Sequence, residues 1–192
     1  MKHYFTKHLL IVFFFVTSSS LIFSQAQNQT DMETSNQQLI TKFYSSFQKK
    51  DYKGMQECYA DTATFSDEVF VNLNSEQVKA MWEMLCIRGT DLVLDFKNVT
   101  AKGNQAGAEW EAHYTFSASK RKVVNRIKAS FIIENGKIVK HTDVFDFYKW
   151  SKQALGFPGA LLGWTGFFKN TVRKGAMKSL NDFMSKKAAS SN

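Results

Sequence analysis

Proline, cysteine and glycine are all scarce in this sequence of 192 residues, which carries 1 Pro, 2 Cys and 10 Gly. A single proline, with 44% hydrophobic and 15% aromatic residues, argues against a disordered or polyproline chain and for a buried core roomy enough to include a pocket. The glycines form no phosphate-cradling loop, and no His-Glu-x-x-His, Gly-x-Ser-x-Gly or Cys-x-x-Cys motif is present. Nucleotide hydrolysis, zinc proteolysis and serine esterase chemistry are therefore disfavoured. Cys58 and Cys86 have no metal-ligand spacing and no nearby His, so no metal is expected. Each lies on the apolar side of an expected helix. Two buried free thiols are the simpler reading, and a disulfide stays open because pairing is not readable from sequence.

A long apolar run is missing too. Leu9 to Val16 is continuous but falls short of the ~20 residues a membrane span needs. Lys2 and Lys7 precede it and Ser24-Gln25-Ala26 follow, which is the pattern of a cleavable signal peptide over residues 1–26, cut near Ala26. The expected destination is secreted or periplasmic. Polar residues 27–34 read as a flexible lead-in. The formal charge is +8, and loss of residues 1–26 removes Lys2 and Lys7 and no acid, leaving +6. Acids such as Asp51, Glu57, Glu83, Asp95, Glu109 and Glu111 are interleaved with the bases, and no recognition motif accompanies them, so no nucleic-acid partner is expected.

What is present is periodicity. Leu39, Phe43 and Phe47 recur at helical spacing from Ser35, and a short second helix carries Tyr52, Met55, Cys58 and Tyr59. Tyr59 to Phe70 reads as a first strand. A third helix, capped by Asn74 or Ser75, has the stripe Val78, Met81, Trp82, Leu85 and ends at Arg88-Gly89. The period then changes to two: Leu92–Val99, Ala108–Ala118, Val123–Glu134 and Lys137–Phe147 read as strands, the last pair joined by the hairpin signal Asn135-Gly136. Length allows one domain, placed at residues 35–150. Residues 151–192 form a helical C-terminal extension, whose basic amphipathic helix from Gly166 is expected to pack on the domain across the mouth of the sheet, with a membrane surface the less favoured partner.

Four polar residues interrupt apolar inward faces: Asp67, Asn125, His141 and Asp143. His141 and Asp143, two apart in one strand, project to the same side about 6.6 Å apart. A carboxyl in an apolar cleft has its pKa raised by desolvation, and a His beside it titrates near neutrality, so Asp67, His141 and Asp143 are the candidate proton-transfer set. The alternative is structural: an Asp that caps backbone and a His–Asp hydrogen bond at a rim. Phe43, Trp82, Tyr114, Phe116, Asn125, Phe131 and Phe145 are the expected pocket wall, whereas Asp146, Trp150 and Lys152 read as solvated surface.

The element order, with Tyr59-Ala60-Asp61-Thr62-Ala63-Thr64-Phe65-Ser66-Asp67 and Gly136-Lys137-Ile138-Val139-Lys140-His141-Thr142-Asp143-Val144-Phe145-Asp146, resembles the SnoaL-like branch of the nuclear transport factor 2-like superfamily over about residues 35–150. The resemblance implies an α+β cone-shaped barrel: a curved, mostly antiparallel sheet packed with three N-terminal helices around a deep apolar pocket, commonly dimeric through the sheet. Ketosteroid isomerase, a member, uses an Asp base with an oxyanion hole of a Tyr and a protonated Asp. Its base matches Asp67, but its Tyr falls on Phe43 and its second Asp on Ala129, so both oxyanion donors are missing. In SnoaL-like cyclases a late-strand Asp does the acid/base work; Asp143 is the nearest match, with His141 beside it. Together with the export pattern, the resemblance implies a pocket protein that binds a small, largely apolar molecule, carries out cofactor-free acid/base chemistry of an isomerase, cyclase, dehydratase or hydrolase type, and forms a homodimer; the alternative is a non-catalytic ligand-binding or dimerisation module.

Overall fold

The computed structural model describes the backbone of residues 5–190 and the side chains of residues 25–190. The start of the expected export segment, residues 1–4, lies outside the described backbone. Helix α1 (Phe5–Gln48) leads into α2 (Tyr52–Gln56), β1 (Tyr59–Ser66) and α3 (Ser75–Arg88). Four strands follow, β2 (Val93–Lys102), β3 (Gln105–Phe116), β4 (Arg121–Glu134) and β5 (Lys137–Val144), then α4 (Phe147–Leu155), α5 (Phe157–Leu162) and α6 (Gly166–Ser190). The sheet order is β1-β5-β4-β3-β2, with β1 parallel to β5 and every other pair antiparallel. This is the α+β architecture that the periodicities imply, with the curved sheet left open rather than closed into a full barrel.

Local chemistry sets the element ends. Asn74 accepts from the Gln77 N–H while Gln77 reaches back to the Asn74 N–H, a capping box that starts α3. The β4–β5 turn places Asn135 and Gly136 at φ 50° and 70°, as a tight primed hairpin requires. Residues 27–34 are helical rather than a loose lead-in. Gln27 and Gln29 donate to Asp31 and Glu33 one turn on, and Glu33 and Asn36 hold the N–H and C=O of Gly103 in the β2–β3 turn.

The core sits between the helices and the concave face of the sheet. Ile40, Phe43, Tyr44 and Phe47 of α1 meet Met81 and Trp82 of α3 and Phe131 of β4, all buried. Each such side chain contributes about 1.5–3 kcal/mol by leaving water. Cys58 and Cys86 are both buried and free, and burial pushes each thiol up to about 11. On the outer face, Glu111 pairs with Arg126 across β3 and β4, the cross-strand pairing that the alternation predicts.

Strict alternation fails at one place. It assigns Ile138 and His141 to opposite faces of β5, yet both are buried. Register against β4 jumps from Ile132↔Lys140 to Ile133↔Ile138, leaving Val139 as an extra residue. This bulge re-aims the strand, so that Ile138 fills the core above His141 and Asp143. Two expected strands also end early: β1 stops at Ser66, which leaves Asp67 in the following loop, and β5 stops at Val144 because Asp146 caps α4 by accepting from the Lys149 N–H.

Candidate functional site

A cavity of about 520 Å³ opens between the sheet, the C-terminal half of α3, α4 and α6. That size lies within the roughly 300–1,000 Å³ of small-molecule sites. Its wall is mostly apolar, with Phe65, Phe70, Trp82, Trp110, Ile127, Phe145 and Trp150 prominent, and it carries two carboxyls, Asp67 and Asp143, together with Tyr114 and Asn125.

Asp143 comes from β5 with its side chain inward. His141 Nε2 lies 3.0 Å from Asp143 Oδ1, and Trp110 Nε1 donates to the same oxygen at 3.5 Å. Behind them, Tyr59 Oη lies 2.6 Å from His141 Nδ1 and accepts from Trp82 Nε1 at 2.9 Å. The donor inventory assigns the tautomer. Asp143 Oδ1 is an acceptor toward Trp110, so Nε2–H is assigned as its second donor, and in the neutral ring Nδ1 then accepts from the Tyr59 hydroxyl. Trp82, Tyr59, His141 and Asp143 thus form one directed chain ending at the cavity. His141 is itself sealed away from it, with Phe131 4.2 Å and Phe65 5.0 Å from its ring centre.

Asp67 is held differently. Its Oδ1 accepts from the Val69 N–H at 2.6 Å and the Phe70 N–H at 2.5 Å, and its own N–H donates to Phe70 O. A short acid that bonds backbone two and three residues on is a natural loop closer. Helix α6 clasps the same loop: Lys169 pairs with the Glu68 carboxylate and Arg173 donates to the Glu68 carbonyl. Burial pushes the Asp67 carboxyl up to about 7, against the two backbone N–H groups, and the nearby Asp143 charge adds to the rise. Tyr114, half-buried near it and donated to by Trp150 Nε1, is pushed up to about 12 by desolvation.

Of the expected proton-transfer set, Asp67 and Asp143 share the cavity wall, and His141 stands one layer behind. Trp82, Tyr114, Phe116, Asn125 and Phe145 line the cavity. Phe43 and Phe131 do not: both rings pack on His141 inside the core, because α1 lies over that face of the sheet. Trp150, read as surface, is buried and lines the cavity. The spacing Phe147, Trp150, Ser151, Ala154, all buried, is the helical stripe that would have found it. Tyr59 and Trp110 were also missed as partners of the polar chain. Among the described residues no cluster of His, Cys, Asp or Glu is arranged to hold a metal, and no helix described with its side chains is long and apolar enough to cross a membrane.

The chain belongs to the SnoaL-like domain family, whose model matches residues 40–141, just over half of the sequence. Solved structures agree on the fold. An M. tuberculosis LEH-like epoxide hydrolase is 17% identical with a TM-score of 0.54, covering 68% of this chain and 97% of that one. A candidate SnoaL-like polyketide cyclase from Jannaschia sp. CCS1 is 14% identical with a TM-score of 0.57, covering 66% and 94%. A candidate polyketide cyclase from Xanthomonas campestris pv. campestris is 16% identical with a TM-score of 0.55, covering 64% and 98%. No curated protein matches the sequence.

Proposed function

We propose that this protein binds a small, largely apolar molecule in the cavity and moves a proton on it without a cofactor, in an isomerase, cyclase, dehydratase or hydrolase type of reaction. The observation that carries the reading is the pair of carboxyls, Asp67 and Asp143, in one apolar wall, where burial pushes the Asp67 carboxyl up to about 7. A carboxyl poised there is present in both forms at neutral pH, so it can take a proton from a bound molecule or give one. Asp143, aimed by His141 and Trp110, supplies the second polar contact that orients the molecule. The named activities of the similar structures, epoxide hydrolysis and polyketide cyclisation, are of this general kind. Steroid-type enolisation is disfavoured, since the resemblance sets Phe43 and Ala129 against the isomerase's oxyanion donors and neither lines the cavity.

A non-catalytic binding module is the second reading, favoured by the fact that Asp67 is also engaged by two backbone N–H groups. Export through residues 1–26 and dimerisation through the outer sheet face belong to the same proposal. The test is native mass spectrometry of the purified chain, followed by solvent extraction and incubation of the extracted molecule with fresh protein. An apolar adduct is expected, and its loss in Gly175→Phe, at a wall position where an added Cβ meets nothing within 4 Å, locates it in the cavity. Conversion of the molecule that stops in Asp67→Asn and Asp143→Asn supports catalysis. Binding without conversion selects the second reading, and no adduct overturns both.

A further inference from the structure

Among the described side chains, the largest apolar ones left in water are gathered in one short stretch. Phe157 is 78% exposed, Leu161 56%, Trp164 75% and Phe167 83%. This stretch is held rigidly. Ser151 of α4 is fully buried beneath α5, its hydroxyl bonding to the carbonyls of Tyr148 and Gly159, and Tyr148 Oη donates to Ala160 O. A Cβ at Gly159 would stand 1.9 Å from Ser151 O, and one at Gly163 2.1 Å from Ser151 Oγ. Gly159 and Gly163 therefore face the protein while Phe157, Leu161 and Leu162 face out, the reverse of a helix that buries its hydrophobic side.

Charge says what covers this face. Residues 147–192 hold eight Lys and Arg and one acid, Asp182, so they carry +7 of the chain's +8. Pairing of Lys149 with Asp146, Lys169 with Glu68 and Lys187 with Glu83 still leaves the region strongly positive. A two-fold contact between copies would set this basic region against itself. An anionic lipid surface meets both features, apolar and aromatic side chains entering the interface and Lys/Arg meeting the headgroups.

We propose that the α5–α6 junction, through Phe157, Leu161, Trp164 and Phe167, docks the protein on an anionic membrane surface. The basic face of α6 alone is not the docking element, since α6 packs on the domain through buried Leu180. The patch lies between Leu155 and Val172, both in the cavity wall. On the cavity reading, which this consequence alone rests on, an apolar molecule held in the lipid has a short path to the site.

The experiment uses the full chain with vesicles of brominated phosphatidylcholine, with or without phosphatidylserine. The signal of Trp164 is the difference in fluorescence between the natural chain and Trp164→Phe, which separates it from Trp82, Trp110 and Trp150 and from any binding by the N-terminal segment. Quenching of that signal by the phosphatidylserine vesicles is expected, weakening with salt and at least about tenfold weaker in Phe157→Ser/Phe167→Ser. An unquenched Trp164 overturns the proposal. So does a blue shift that grows with protein concentration in the absence of vesicles, which would mean that a second copy covers the patch.

Discussion

The two acids of the cavity are built in opposite ways. Asp143 belongs to a strand and is tied into a side-chain chain through His141, Tyr59 and Trp82 that runs back into the core. Asp67 belongs to a loop and is tied only to the backbone of that loop, with α6 closing over it. The strand acid is fixed in place by packing. The loop acid is fixed in place by local hydrogen bonds and left free to titrate. On the proposed function, one site thus has a rigid orienting group and a proton carrier of the same residue type, because the environments differ.

Mutations can break the strand side hardest. Phe131→Ala removes the ring against His141 and should cost about 3–5 kcal/mol in denaturant unfolding. Tyr59→Phe keeps the packing but leaves the Trp82 N–H and His141 Nδ1 unpaired, and should cost about 1–3 kcal/mol by the same measurement.

The loop side should show itself through pH. The folded pKa of Asp67, about 7, lies above its unfolded value near 3.8, so the folded state binds the extra proton between them. Stability contributed by this group is present below about pH 4 and lost as pH rises to about 7, by at most about 1.4 kcal/mol per pH unit. Asp67→Asn should abolish that slope in thermal melts taken across the interval. Glu68→Gln, which releases Lys169 of α6, should cost the least, about 0.5–1 kcal/mol, with faster amide exchange in α6.

Much of this contrast is written in the sequence. Periodicity of four and of two places the helices and strands, and the Asp at position 143 stands out because it breaks an inward face. The convergence of Asp67 with Asp143 follows from the parallel β1–β5 pairing, which no local pattern announces. The bulge at Val139 is invisible for a related reason: alternation carries no mark of an extra residue, so Ile138 reads on the wrong face. Trp150 is hidden because long-range packing alone decides that α4 lines the cavity. Phe43 and Phe131 were misplaced as wall because apolar, inward and large describes core and pocket equally well.

Proton transfer in the cavity requires Asp67 to be a carboxyl that changes protonation near neutrality in apolar surroundings. A ¹³C NMR titration of its side-chain carboxyl carbon measures that directly. A midpoint at about 7 is predicted. A midpoint near the ordinary aspartate value, about 4, would contradict it.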